Sequence, residues 1–154
     1  FNIYFMKKTL ISIVTSLSLG VIISLSANAD LDKAIEYAES GETRKAEIEL
    51  YKISQRAMAG NPKAMCEFGT MYKKKGYWIV QSDEDALDWW LKSAEMGYAP
   101  CQFSMGALYL IGQAGLEKNM SKAKFWLYKA KESTNEKYAK MSAQIYAIHG
   151  LDKY

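Results

Sequence analysis

A block of residues recurs in this chain at a shift of 37 positions, and that recurrence constrains the fold more than any other feature. Ala57-Met-Ala-Gly60 returns as Ala94-Glu-Met-Gly97, Gly69 as Gly106, Tyr72 as Tyr109, Ala86 as Ala123 and Trp89 as Trp126. One further step takes Gly106 to Ala143 and Tyr109 to Tyr146, so the last segment reads as the first half of a third unit. Periods of this size belong to stacked supersecondary units, none of which buries its apolar faces alone.

The apolar spacing inside each unit is helical. Ala64, Phe68, Met71 and Tyr72, and again Ala86, Trp89, Trp90 and Ser93-Ala94, follow the i, i+3, i+4, i+7 pattern, and no stretch alternates with a strand's period of two. The punctuation agrees: Asn61-Pro62 is an N-cap followed by proline at the first helical position, and Ser82 precedes Asp83, Glu84 and Asp85, acids favoured at a helix N-terminus. Gly60, Gly76, Gly97 and Gly112 close helices or shape turns. Seven helices are therefore expected, near 31–40, 43–58, 62–75, 83–96, 99–111, 120–133 and 136–148. Gly69 and Gly106 fall inside helices, where glycine costs about 1 kcal/mol relative to alanine, so both are read as points where a neighbouring helix leaves no room for a Cβ. Tyr72, Tyr109, Trp89 and Trp126 are expected to fill the space between helices.

The N-terminal stretch lies outside the repeats. Lys7 and Lys8 precede a nearly uncharged apolar run from Thr9 to Leu25, which exits through Ser26-Ala27-Asn28-Ala29. That three-part layout predicts a secretory signal peptide over 6–29, cleaved after Ala29, and Thr15, Ser16, Ser18, Gly20 and Ser24 argue against a membrane anchor. Residues 1–5 precede the expected initiator Met6 and are read as a start-site artefact. The expected mature domain, 30–154, is a single periplasmic or secreted unit with no stable membrane span. The formal charge of +3 includes the two leader lysines, so the mature part is near neutral and carries no electrostatic footprint for nucleic acid. Lys73, Lys74 and Lys75 make one short basic cluster, which a solvated helix end explains.

Two cysteines, Cys66 and Cys101, would sit in a compartment that permits disulfides. Paired, they would contribute about 4 kcal/mol by loop-closure entropy; two inert thiols remain equally open. A reactive thiol has little support, since the chain has no Cys-x-x-Cys and its one histidine, His149, is distant in sequence.

These residues resemble the Sel-one-like repeats, a variant of the tetratricopeptide superhelix. Ala64-Met-Cys-Glu-Phe68-Gly69-Thr-Met-Tyr72 with Ala86-Leu-Asp-Trp89-Trp-Leu-Lys-Ser93-Ala94-Glu-Met-Gly97 makes one copy. Cys101-Gln-Phe-Ser-Met105-Gly106-Ala-Leu-Tyr109 with Ala123-Lys-Phe-Trp126-Leu-Tyr-Lys-Ala130 makes another. Departures are Cys101 and Ser93 at alanine positions and Ala143 at a glycine position. The resemblance implies an all-α, right-handed solenoid of antiparallel helix pairs, with full repeats at about 62–97 and 99–133 and partial ones at 31–58 and 136–148. It also implies a protein-binding module without a cofactor, with roles such as envelope signalling, assembly or immunity against a secreted toxin. Cysteine-rich relatives supply an alternative, a β-lactam-binding or cell-wall-related hydrolase, but this chain lacks their dense cysteine pattern.

Catalytic and metal signals are thin. Ser121-Lys-Ala-Lys124 matches the Ser-x-x-Lys of penicillin-recognising enzymes, yet the repeat puts Ser121 in a first helical turn and no Lys-Thr-Gly or Ser-Asp-Asn follows. Asp83, Glu84, Asp85 and Asp88 point around a helix rather than converging on a cation, and His149 has no partner ligands in sequence. No catalytic or metal residue is therefore assigned. Binding is expected instead on aromatics the repeat does not require, Tyr77, Trp78, Trp90, Tyr98, Phe103 and Tyr128, and on the concave face of the first helices, carrying Glu67, Thr70, Phe103, Ser104 and Ala107.

Overall fold

The structure is a computed structural model, and it describes residues 29–73 and 79–154. Among these residues lie seven α-helices: α1 (Ala29–Glu39), α2 (Thr43–Met58), α3 (Pro62–Lys73), α4 (Asp83–Glu95), α5 (Ala99–Ile111), α6 (Met120–Lys131) and α7 (Glu136–Ile148). A 3-10 turn, Leu151–Lys153, follows. No strand interrupts them, and no described helix is long and apolar enough to cross a membrane. Each helix packs chiefly on its neighbour in sequence, and α7 also touches α5. The result is an all-α solenoid, as the period implied. Residues 1–28, which hold the expected leader apart from Ala29, and Lys74, Lys75, Gly76, Tyr77 and Trp78 lie outside the described residues.

The helix starts follow from short polar side chains. Asn61, Ser82, Asn119 and Asn135 each accept a hydrogen bond from the backbone N–H three residues on, at 2.9, 3.1, 2.9 and 3.3 Å, satisfying donors that a helix cannot bond itself. The turn after α2 and the turn after α4 share one closure. Gly60 and Gly97, at φ +88° and +87°, let the next residue's N–H reach back to Arg56 and Ser93 respectively. The two repeats also share a bond across their inner loops. The N–H of Ser82 donates to the carbonyl of Tyr72, and 37 residues later that of Asn119 donates to Tyr109. Lys73 and Asp83, at the two ends of the first of those loops, form an ion pair of 2.7 Å.

Three apolar clusters run along the array. The first joins Leu31, Leu50, Ile53, Phe68 and Met71, the second Ala86, Trp90, Met105, Leu108 and Trp126, and the third Phe103, Leu110, Leu127, Tyr138, Tyr146 and Leu151. Gly69 and Gly106 sit where expected: a Cβ would lie 2.7 Å from Trp90 at the first and 2.6 Å from Leu127 at the second. The assignment of the two neighbouring tryptophans needs correction. Trp90, which the repeat pattern left as a surplus aromatic, is buried at 1% exposure. Trp89 is only half-buried, edge-on to Phe68 at 5.0 Å. Adjacent residues on a helix point about 100° apart: Ala86 and Trp90 meet Gly69 of α3, while Trp89 lies to the side against Phe68 of the same helix.

Cys66 on α3 and Cys101 on α5 form a disulfide with Cα atoms 6.0 Å apart. It joins the first helices of successive repeats, which otherwise meet mainly through α4.

Candidate partner-binding surface

The first helices do not offer the open concave face that a longer solenoid would. Glu67, Thr70, Phe103, Ser104 and Ala107 are all buried, a correction to their expected role as partner contacts. Thr70, Ser104 and Phe103 are engaged inside the protein. Thr70 Oγ1 donates to the carbonyl of Cys66 at 3.0 Å and accepts from the Trp90 indole N–H at 3.3 Å; that same N–H also reaches the Cys66 carbonyl at 3.2 Å. Ser104 Oγ donates to the Pro100 carbonyl at 2.9 Å. Phe103 packs edge-on against Tyr138 of α7, with centroids 5.7 Å apart. The array is short enough that α7 lies on α5, and the disulfide draws α3 to α5, so the inner side is filled by the protein's own side chains.

At the N-terminal end of that inner side is a cluster of charges. Asp30, in the first turn of α1, accepts from Lys63 at 2.9 Å and Arg56 at 3.1 Å, and these partners, the Lys63 hydrogen bond foremost, hold its carboxyl below the usual carboxylate range. Lys63 also approaches Glu67 at 3.6 Å. Glu67 has 0% exposure, and burial pushes its carboxyl up to about 7, with Lys63 opposing and the Asp30 charge adding to the rise. Tyr98, half-buried at the N-cap of α5, has its phenol pushed up to about 12, mainly by burial and next by Glu67. Only Glu67 of this cluster is buried; Asp30, Arg56 and Lys63 are partly exposed and tie α1 to α2 and α3.

The outward-facing candidate lies on α6 and α7. Ser121, Lys124, Phe125, Tyr128, Lys129 and Tyr146 line a shallow basin of about 570 Å³. Phe125 and Tyr128 are 52% and 49% exposed, unusual for rings of this size grouped together. Lys129 stands 5.0 Å from the Phe125 centroid, and Lys131 stands 5.1 and 5.0 Å from those of Tyr128 and Tyr146. Lys124 reaches the carbonyl of Asp152 at 3.4 Å. The outcome is aromatic area rimmed by ammonium groups, a chemistry suited to an apolar side chain flanked by acids.

Of the residues singled out from sequence, Tyr128 lines this basin, as does Ser121 of the Ser-x-x-Lys match together with Lys124. Ser121 is exposed in the first turn of α6, two residues after the N-cap Asn119. Tyr98, Phe103, Thr70, Ser104 and Glu67 lie elsewhere, and Tyr77 and Trp78 fall outside the described residues. Asp83, Glu84 and Asp85 occupy the first turn of α4, and among the described residues no group of acidic, cysteine or histidine side chains is arranged to hold a metal. Phe125 and Lys129 were missed. Their signal was legible: with Tyr128 they stand off the stripe of Ala123, Trp126, Leu127 and Ala130 that α6 buries.

Comparison with known proteins bears on the family. Two copies of the Sel1 repeat match, at residues 62–98 and 99–135. A crystal structure of a Sel1 repeat protein from Oxalobacter formigenes is similar over 79% of this chain, at 30% identity and a TM-score of 0.57. The chain spans 46% of that protein's length. No curated protein sequence matches. The shared period, the glycine contacts repeated at Gly69 and Gly106, and the two matched copies make this chain a member of the Sel1 repeat family.

Proposed function

We propose that this protein is an exported protein-interaction module whose partner docks on the aromatic and lysine basin of α6 and α7. Sel1 repeats generally mediate protein binding and are generally non-enzymatic, and the basin supplies what such binding uses. The observation that carries the reading is the pairing of half-exposed Phe125 and Tyr128 with Lys129 and Lys131 over aromatic faces. Exposed aromatics with a polar rim are typical interface anchors. A partner segment with an apolar residue between acids fits this rim, in a role such as envelope signalling, assembly or toxin immunity.

Export rests on the Lys7-Lys8, apolar run and Ala27-Asn28-Ala29 layout, with Asp30 as the first residue of the processed chain. The test places a photo-crosslinking amino acid at Phe125 in the cell that makes the protein, with a control at Ile48, which is exposed on α2. A single adduct at position 125 that is absent at 48, identified by mass spectrometry in the exported fraction, is the expected result. Equal labelling at both positions overturns the site.

A further inference from the structure

Glu67 occupies an incomplete site. Its carboxylate is wholly buried, and among the described residues neither oxygen completes a hydrogen bond. Among the described residues its ion-pair partner is Lys63, at 3.6 Å, which Asp30 holds closer, at 2.9 Å. A buried carboxylate in this condition is among the costliest arrangements in a protein, because it has left water without gaining donors. The main-chain donor turned toward it is the backbone N–H of Asp30, which already favours its charged form.

That nitrogen has a second significance. It is the nitrogen of the Ala29–Asp30 peptide bond, the bond at which the Ser26-Ala27-Asn28-Ala29 exit sequence ends. Hydrolysis adds one water across the bond. Ala29 leaves with the new carboxylate, and Asp30 keeps the new primary amine, which takes up a proton near neutral pH. A neutral amide with one N–H becomes a cation with three.

We propose that the buried carboxylate of Glu67 is the receptor for the α-ammonium group of Asp30, so that removal of the leader completes the packing of α1. The inference rests on the cleavage position proposed above. A cation at a helix N-terminus is opposed by the helix dipole, so the site needs an acid of its own. The side chain of Asp30 is committed to Arg56 and Lys63, which leaves Glu67 to take the ammonium. Leu31 and Ala34, buried directly after this terminus, hold α1 in place for the contact. The leader-bearing chain lacks the ion pair and is the looser of the two.

The experiment uses the full gene, exported and processed, with the mature chain purified and its N-terminus sequenced. The α-amino group is acylated at neutral pH with a limiting amine-reactive ester, and the N-terminal peptide is quantified by mass spectrometry in buffer and in urea. In buffer the wild-type amine should react about tenfold or more slowly than in urea, the protection expected of a group released only by local opening. Glu67→Gln should bring the buffered rate close to that in urea. In case that variant folds poorly, a glycine inserted after Ala29 moves the amine one residue away with Glu67 intact, and should likewise restore fast reaction. An N-terminus other than Asp30 overturns both the processing reading and this inference. An Asp30 terminus whose amine reacts as fast in buffer as in urea overturns the inference alone.

Discussion

Gly69 faces the indole of Trp90 so closely that an added Cβ would stand 2.7 Å from its Cδ1 and 2.9 Å from the carbonyl oxygen of Ala86. Thirty-seven residues on, Gly106 faces Leu127 in the same way, with the backbone N of Leu127 at 3.0 Å. The helix pair in each repeat therefore closes on a backbone surface, and what the second helix inserts differs: a tryptophan in one copy, a leucine in the other.

Because backbone atoms as well as side chains block the space, Gly69→Ala and Gly106→Ala should each destabilise by about 1–3 kcal/mol, offset only slightly by alanine's better helix propensity. Gly115→Asn is the control, since nothing lies within 4 Å there and asparagine tolerates the φ of +81°. Urea titration should show a lower midpoint for the first two and a change within about 0.5 kcal/mol for the third.

The two tryptophans should separate in the same assay. Trp90→Ala removes a buried ring and the donor to the Cys66 carbonyl and Thr70, and should cost about 3–5 kcal/mol. Trp89→Ala removes a half-buried ring stacked edge-on to Phe68 and approached by Lys92 at 4.9 Å, and should cost clearly less. Equal losses would contradict the helix rotation described above.

Cys66 and Cys101 are separated by 35 positions in sequence, so the double variant Cys66→Ala/Cys101→Ala should lose about 4 kcal/mol on the chain-entropy account, and less where the reduced chain retains structure. Thermal melts of the oxidised protein with and without a reductant provide the check. An unchanged midpoint would mean that the bridge adds nothing to the fold.

In a chain whose peptide bond before Asp30 is intact, Glu67 has its carboxyl raised from 4.5 to about 7, primarily by burial. The folded state then holds its proton more tightly than the unfolded state does. Its contribution is fully present below about pH 4.5 and is lost as pH rises through about 7, a change of about 3 kcal/mol. Stability measured on a chain beginning at Ala29 should fall across that window. Glu67→Gln should flatten the dependence, and a slope that survives the substitution must come from another group.

At the basin, Tyr128→Ala combined with Phe125→Ala should weaken the crosslinked partner by about thirtyfold or more, the loss typical of central anchors, while barely moving the thermal midpoint of two half-exposed rings. Lys129→Glu should weaken binding more at low salt than at high salt, since it reverses a rim charge. Calorimetric titration at two salt concentrations measures both effects.

What the sequence determined by itself was everything carried by short-range periodicity. The 37-residue shift, the capping residues Asn61 and Ser82, and the mid-helix glycines Gly69 and Gly106 were enough to lay out seven helices and the points where they touch. These features act within a turn or a helix pair, so a single chain displays them. Tertiary structure decided which neighbouring residue turns inward. Trp89 and Trp90 satisfy the same apolar spacing, and only the rotation of α4 against α3 buries the second. It also decided that Glu67, Thr70, Phe103 and Ser104 are interior. Phe103 packs on Tyr138 of α7, Thr70 on Trp90 of α4, and Glu67 lies beside the start of α1, contacts between segments apart in sequence that no local pattern encodes. The surface left to a partner, Phe125, Tyr128 and Lys129, is what remains once those distant contacts have consumed the inner face.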